Sequence, residues 1–249
     1  MFTYYFGVYH LRRRLRRIGI GVGVAAVGAA VGTLLATDVG YAVGLVVVLG
    51  GLWYAQPAAK RLFVPAPWVP DRWKYAPLAR GIDFEDADRW LDLGAGTGRS
   101  LVGLGDVVPE ETTVTAVDSF DDRVIRGNSP DRLRANAATA GLDPHPVVGD
   151  AGRLPIAEDS QDVVTACRLL HDLSRPAAVS ALAETRRVLR EGGTLGVLAL
   201  PSIHDEAAAD EYDGPLDYWI ETLEDADFRV TESGTVERHD QTYYYLVCE

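Results

Sequence analysis

Lysine is almost missing from this chain: Lys60 and Lys74 are the only two among 24 basic residues, and the others are all arginine. Cysteine is just as scarce. Cys167 and Cys248 stand alone, in neither a CxxC nor a CxxH spacing, so no disulfide framework and no metal site is expected, which suits a reducing cytosol. Beyond residue 61 positive charge is in short supply altogether. Residues 62–249 hold 17 basic against 35 acidic residues, a formal charge of −18. A surface of that sign repels phosphates, which argues against a nucleic-acid partner. An aspartate-rich, lysine-poor composition is familiar from salt-loving archaea, where screening tolerates dense negative charge; an acidic protein of a high-GC bacterium has the same look.

The balance is reversed at the amino terminus, where residues 1–61 hold seven basic residues and one acid, Asp38. Two charge-free runs fill that region, Ile18–Thr37 with 20 residues and Val39–Ala59 with 21. At about 1.5 Å per residue, either is long enough to cross a hydrocarbon core of roughly 30 Å. We therefore expect two transmembrane helices, 18–37 and 39–56, with the turn at Thr37–Gly40. Five arginines precede the first and Lys60-Arg61 follow the second, so the positive-inside rule puts both ends, and the domain behind them, on the cytoplasmic side of the cell membrane. Tyr4, Tyr5, Tyr9, Trp53 and Tyr54 fall where an inner aromatic belt would lie. Gly19/Gly23 and Gly28/Gly32 have the small-xxx-small spacing that lets two helices approach closely. A cleaved signal peptide would explain the basic stretch and the first run but not the second. A buried soluble hairpin, or one span with an interfacial second segment, are the remaining alternatives. Pro57, Pro65, Pro67 and Pro70 then punctuate a linker over 62–82, in which Asp71–Arg80 reads as a helix that covers the site or merely the surface.

Residues 83–249 alternate between strand and helix periodicity. Strands are expected at Arg89–Leu93, Thr113–Val117, His145–Val148, Val163–Cys167 and Thr194–Leu200. Helices are expected at Arg99–Val107, Pro130–Ala140, Arg175–Leu189, the last ended by Glu191-Gly192-Gly193, and Pro215–Ala226. Phe228–Val236 and Gln241–Val247 read as a closing antiparallel pair. The fold class is α/β: a Rossmann-like, seven-stranded, mostly parallel sheet with a carboxy-terminal antiparallel hairpin. Ligands of such sheets bind beyond the carboxyl ends of the strands, so the residues just after each strand are the informative ones.

The first strand runs into Leu91-Asp92-Leu93-Gly94-Ala95-Gly96-Thr97-Gly98, whose glycines permit a tight turn and close backbone approach to a ligand. A dinucleotide fold would want a small residue at position 99, which is Arg99 instead. Asp118 ends the second strand, where an acid can accept both hydroxyls of a ribose. Asp150, in Val148-Gly149-Asp150-Ala151, ends the third and could accept from an adenine amino group. With the Asp162-Val163-Val164 strand start and the Leu189–Gly193 turn, these elements resemble, in order, the class I methyltransferases that use S-adenosylmethionine (SAM). The likeness covers about residues 85–249. It implies that Gly94, Ala95, Gly96 and Gly98 line the methionine and ribose portions of SAM, and that Asp92 anchors the loop and can meet the methionine amino group. It further implies that Asp118 holds the ribose, that Asp150 and the Ala151 backbone read adenine, and that Cys167 and Arg168 lie near the transferred methyl. Asp92, Asp118 and Asp150 could each instead serve only as a cap, a solvated acid or a turn residue.

Methyl transfer from a sulfonium needs mainly alignment and exclusion of water; a base helps only if the nucleophile must lose a proton. His171 is the best-placed candidate for that base, although a histidine there can equally shape the pocket. His145 and His204 rank below it, and His10 and His239 below those. There is neither the D/N/S-P-P-Y/F tetrapeptide nor the Pro-Cys pair that the likeness would require for methylating nucleic acids. The layout is similar to that of methyltransferases of small metabolites, quinones among them. With the membrane hairpin, this suggests a small-molecule, lipid or quinone-like acceptor. The competing readings are a membrane-tethered SAM binder without activity and a methyltransferase of a membrane protein.

Overall fold

A computed structural model of the chain describes residues 3–64, 66–204, 212–238 and 241–249. The chain divides into two compact units, one of Tyr5–Val69 with Asp121–Gly127, the other of Met1–Tyr4, Pro70–Phe120 and Asn128–Glu249. His239 and the tip of the final turn lie outside the described residues.

In the hairpin unit a short strand β1, Val8–Tyr9, precedes helix α1, Leu11–Leu35, and helix α2, Asp38–Lys60. Both helices are long and apolar enough to cross a membrane, with mean hydropathy 2.1 and 1.5. They are longer than the expected spans of 18–37 and 39–56, although α1 starts earlier and stops at Leu35, short of the expected end. The arginine run is helical because arginine is a good helix former and the first turn needs no packing. The turn is shorter than expected, since Thr37 caps α2 by accepting from the Gly40 N–H at 3.0 Å, which makes Asp38 the first helical residue. Pro57 is inside α2 rather than in the linker. It sits one turn from the end, where a missing N–H breaks a single bond.

The two helices meet through glycine. A Cβ on Gly21 would lie 2.5 Å from the Gly51 carbonyl, and one on Gly28 2.8 Å from that of Gly44. Gly32 belongs to the same face, as expected of the Gly28/Gly32 pair. Gly19 and Gly23 do not: nothing lies within 4 Å of a Cβ built on either, because a helix has one partner-facing stripe and theirs is turned away. The outward faces are apolar, with Leu34 83%, Val39 74% and Trp53 79% exposed. Arg17 stacks its guanidinium 4.7 Å from the Tyr54 ring centroid. The unit also contains strand β4, Ile125–Arg126, which pairs antiparallel with β1.

In the second unit, a 3-10 turn at Arg72–Lys74 and helix α3, Ala76–Gly81, replace the single helix expected over 71–80. Pro77 at the start of α3 explains the break, since proline suits a first turn but not a helix interior. Then follow β2 (Arg89–Leu93), α4 (Arg99–Leu104), β3 (Thr113–Asp118), α5 (Pro130–Thr139), β5 (His145–Val148), β6 (Gln161–Cys167), α6 (Arg175–Val188), β7 (Leu189–Ala199), α7 (Pro215–Glu224), β8 (Val230–Arg238) and β9 (Gln241–Cys248). Seven strands form one sheet in the order β5-β3-β2-β6-β7-β9-β8. The first five are parallel, and β9 is antiparallel to both β7 and β8.

Alternation along β2 shows how the sheet is covered. Leu91 and Leu93 face one buried layer with Leu182 of α6 and Trp219 and Leu223 of α7, while Trp90 faces the other with Tyr75, Leu78 of α3, Leu101 of α4 and Leu133 of α5. Gly103 is required for close packing, because a Cβ there would run into the Tyr75 ring. The Glu191-Gly192-Gly193 turn does not end α6. The helix stops at Val188 and the chain passes directly into β7, whose partner register moves from Gln161↔Leu189 to Val163↔Thr194. Gly192, at φ +75°, lets the extra residues bulge within the strand.

Candidate active site

The Gly-rich loop 94–98 follows β2, which lies between β3 and β6 in the sheet. Gly94, Gly96 and Gly98 all have positive φ, +66°, +52° and +79°. The Gly94 N–H donates to the Val117 carbonyl at 2.9 Å, which folds the loop back over β3. A Cβ on Gly94 would sit 2.8 Å from Leu169 Cδ1, so this position needs glycine twice over.

Asp92 is wholly buried beneath the loop, accepting from Ser100 Oγ at 2.5 Å and Thr165 Oγ1 at 2.7 Å. Thr165 in turn accepts from Trp90 Nε1 at 2.9 Å. Burial raises the Asp92 carboxyl from its ordinary 3.8 to about 7, against the pull of the two hydroxyl donors and with a further push from Asp118. Both oxygens are engaged by side chains, so Asp92 ties β2 to β6 and to the start of α4.

Asp118 is half-buried and gathers three donors. Oδ2 accepts from the Gly96 N–H at 2.9 Å; Oδ1 accepts from the Phe120 N–H at 2.6 Å and from Asn128 Nδ2 at 3.0 Å. Asp150 is exposed, and its Oδ1 accepts from the Gly152 N–H at 2.9 Å, the geometry of a turn-forming aspartate, with Ala151 beside it. Cys167 ends β6, and burial, then Asp92, push its thiol well above the usual range, so it is a packing group and no nucleophile. Arg168 follows at φ +63°, a left-handed conformation rare for a long side chain and often found at functional sites.

His171 side chain is 3% exposed. Its Nδ1 accepts from the Leu200 N–H at 3.3 Å, which assigns the proton to Nε2. Burial lowers its pKa to about 4; Asp172 opposes this, and Arg168 and His204 add to it. A base needs a free lone pair and a higher affinity for protons, so this geometry suits a positioning group. His204 is structural. Nε2 lies 2.8 Å from the Leu170 carbonyl, which can only accept, so Nδ1 receives the Tyr218 hydroxyl at 2.6 Å. His145 is exposed on β5, and His10 belongs to the other unit.

The sequence reading missed a buried charge cluster. Lys74 is fully buried, its Nζ 5.3 and 5.2 Å from the Tyr75 and Tyr243 ring centroids. Lys74 shares one Asp71 oxygen with Arg99, at 3.3 and 2.8 Å. Burial, then Arg168 and Arg99, lower its pKa well below the usual value. The position of one of the two lysines between aromatic residues, Trp73-Lys74-Tyr75, was the available signal.

Residues 91–193 match the family of methyltransferase domains. A solved methyltransferase, CcbJ of Streptomyces caelestis, is 21% identical and superposes with a TM-score of 0.53 over 72% of this chain and 89% of its own. The second unit has a class I methyltransferase-like fold. Curated relatives include a ubiquinone/menaquinone biosynthesis C-methyltransferase of Dinoroseobacter shibae, 35% identical over 51% of this chain and 48% of that protein. A demethylmenaquinone methyltransferase of Beutenbergia cavernae is 37% identical over 50% and 45%. The chain thus spans about half the length of the curated relatives it matches. Within the methyltransferase fold, loop 94–98, Asp118 and Asp150 occupy the strand ends at which this architecture binds ligands.

Proposed function

We propose that the chain is a SAM-dependent methyltransferase of a small organic, quinone-like or lipid acceptor, held at the cytoplasmic face of the cell membrane by the α1–α2 hairpin. The observation that carries the reading is the bond from Gly96 N–H to Asp118, which joins the Gly-rich loop to the acid at the end of the neighbouring strand. A loop so held presents backbone to the methionine portion and a carboxylate to the sugar. Asp150 and Ala151 would read the adenine, and Cys167 would line the methyl end. The curated relatives are named for ubiquinone/menaquinone biosynthesis and for demethylmenaquinone, which supports an acceptor dissolved in lipid. The outward-facing Leu34, Val39, Val46 and Trp53 support a lipid environment, since a helix pair in water would present a polar face.

His171 serves here as a positioning residue, and any proton that the acceptor loses passes to solvent. The test is tritium transfer from methyl-labelled SAM by the full-length protein to a membrane fraction. Label extractable with organic solvent supports the proposal. Label in protein overturns it in favour of a protein acceptor, and no label in either overturns it in favour of a binder. Asp118→Ala should weaken binding of S-adenosylhomocysteine by about tenfold or more, and unchanged affinity would sink the site.

A further inference from the structure

Asp118 accepts three protein hydrogen bonds, and a carboxylate offers about four acceptor positions. One is left. The two adjacent hydroxyls of a ribose need two acceptors if both are to be held, so a second acceptor must stand beside this one. Asn128 meets that need. It is 7% exposed, and its Nδ2 donates to Asp118 Oδ1 at 3.0 Å. That bond fixes the sense of the amide, because turning it over would set Oδ1 against the carboxylate, acceptor to acceptor. Asn128 Oδ1 therefore points elsewhere, and it is buried with no hydrogen-bond partner. A buried amide oxygen without a donor is costly, and native proteins keep few. A serine or threonine could donate to Asp118 without leaving such an oxygen, so the amide is over-equipped for a purely structural role.

We infer that Asn128 is a second sugar-reading residue, whose Oδ1 accepts from one ribose hydroxyl while Asp118 accepts from the other. The pocket then selects a ribonucleoside over its deoxy counterparts. This rests on the reading of Asp118 as the sugar-binding acid.

The experiment is calorimetric titration of the full-length protein in detergent with S-adenosylhomocysteine and with its 2′-deoxy and 3′-deoxy forms. The wild type should bind both deoxy forms about tenfold more weakly than the parent. Asn128→Leu should weaken the parent by a similar factor, and one of the two deoxy forms should then bind as well as the parent does. Asn128→Ser, which keeps an oxygen acceptor and guards against a misfolded leucine variant, should retain discrimination against both. Equal losses for all three ligands in Asn128→Leu would make the residue merely structural and overturn the inference. A wild type that ignores one hydroxyl would overturn it while leaving the site reading intact. A wild type that binds none of the three would sink the proposed function itself, and this inference with it.

Discussion

Replacing Asp92 by asparagine should make the protein more stable at neutral pH than the wild type, by an amount that grows with pH. The side chain is buried completely and its carboxyl is raised from 3.8 to about 7. A folded-state value above the unfolded one means the native protein binds more protons between those limits. The stability this group contributes is therefore complete below about pH 4, and falls as pH rises to about 7. At 1.36 kcal/mol per tenfold, the whole displacement is worth about 4 kcal/mol, with a slope near 1.4 kcal/mol per pH unit inside the window. Asparagine stays neutral throughout. It keeps one acceptor for the Thr165 hydroxyl and offers an N–H to Ser100, whose hydroxyl can turn to accept, so any loss from rearrangement is independent of pH. His171 acts in the opposite sense, its lowered value costing stability as pH falls below about 6.5, so only the difference between the two proteins at each pH isolates Asp92. Urea unfolding followed by tryptophan fluorescence, from pH 4.5 to 8 in detergent, supplies that difference. If the two stability curves run parallel across the window, Asp92 does not titrate as its burial dictates and the argument fails.

Two further outcomes follow from the geometry. Gly28→Leu should drive α1 and α2 apart, as read from spin-label distances between the helices, whereas Gly19→Leu should leave the distance unchanged; equal effects would refute the assigned face. Methyl transfer should show no inflection near pH 6.5 attributable to His171, and His171→Asn should lower kcat/KM less than about tenfold; an inflection that disappears in the variant would restore the histidine as a base.

Features that depend on neighbours in sequence were legible before the structure. The strand Arg89–Leu93 agrees to the residue because Trp90, Leu91 and Leu93 run straight into a glycine turn, and His145–Val148 agrees because turn residues bound it on both sides. The glycine loop and Asp118 sit where alternation of strand and helix puts them. What escaped required distant partners. Lys74 could not be known to share Asp71 with Arg99, 25 residues away, nor to lie between Tyr75 and Tyr243. Asn128 reads as an ordinary loop residue until Asp118 is seen beside it. Gly19/Gly23 and Gly21 offer the same composition to the eye, and only the second helix tells which stripe is covered. The passage of α6 straight into β7 was hidden because Glu191-Gly192-Gly193 has the residues of a helix stop, while Gly192 uses its freedom for a bulge.

The ribbon of β1 with β4 bears on how this protein should be trimmed for solution work. Val8 and Tyr9 hold Arg126 and Ile125, and the His10 N–H donates to the Val124 carbonyl at 2.7 Å. Cutting away everything before residue 62 would remove the apolar helices and, with them, β1, the one strand that 125–126 pairs with among the described residues. That orphaned stretch begins seven residues after Asp118 and ends two before Asn128. A fragment with poor nucleoside affinity would then report the lost ribbon as readily as the lost helices. A better trimmed protein would keep residues 3–10 and bridge directly past the helices.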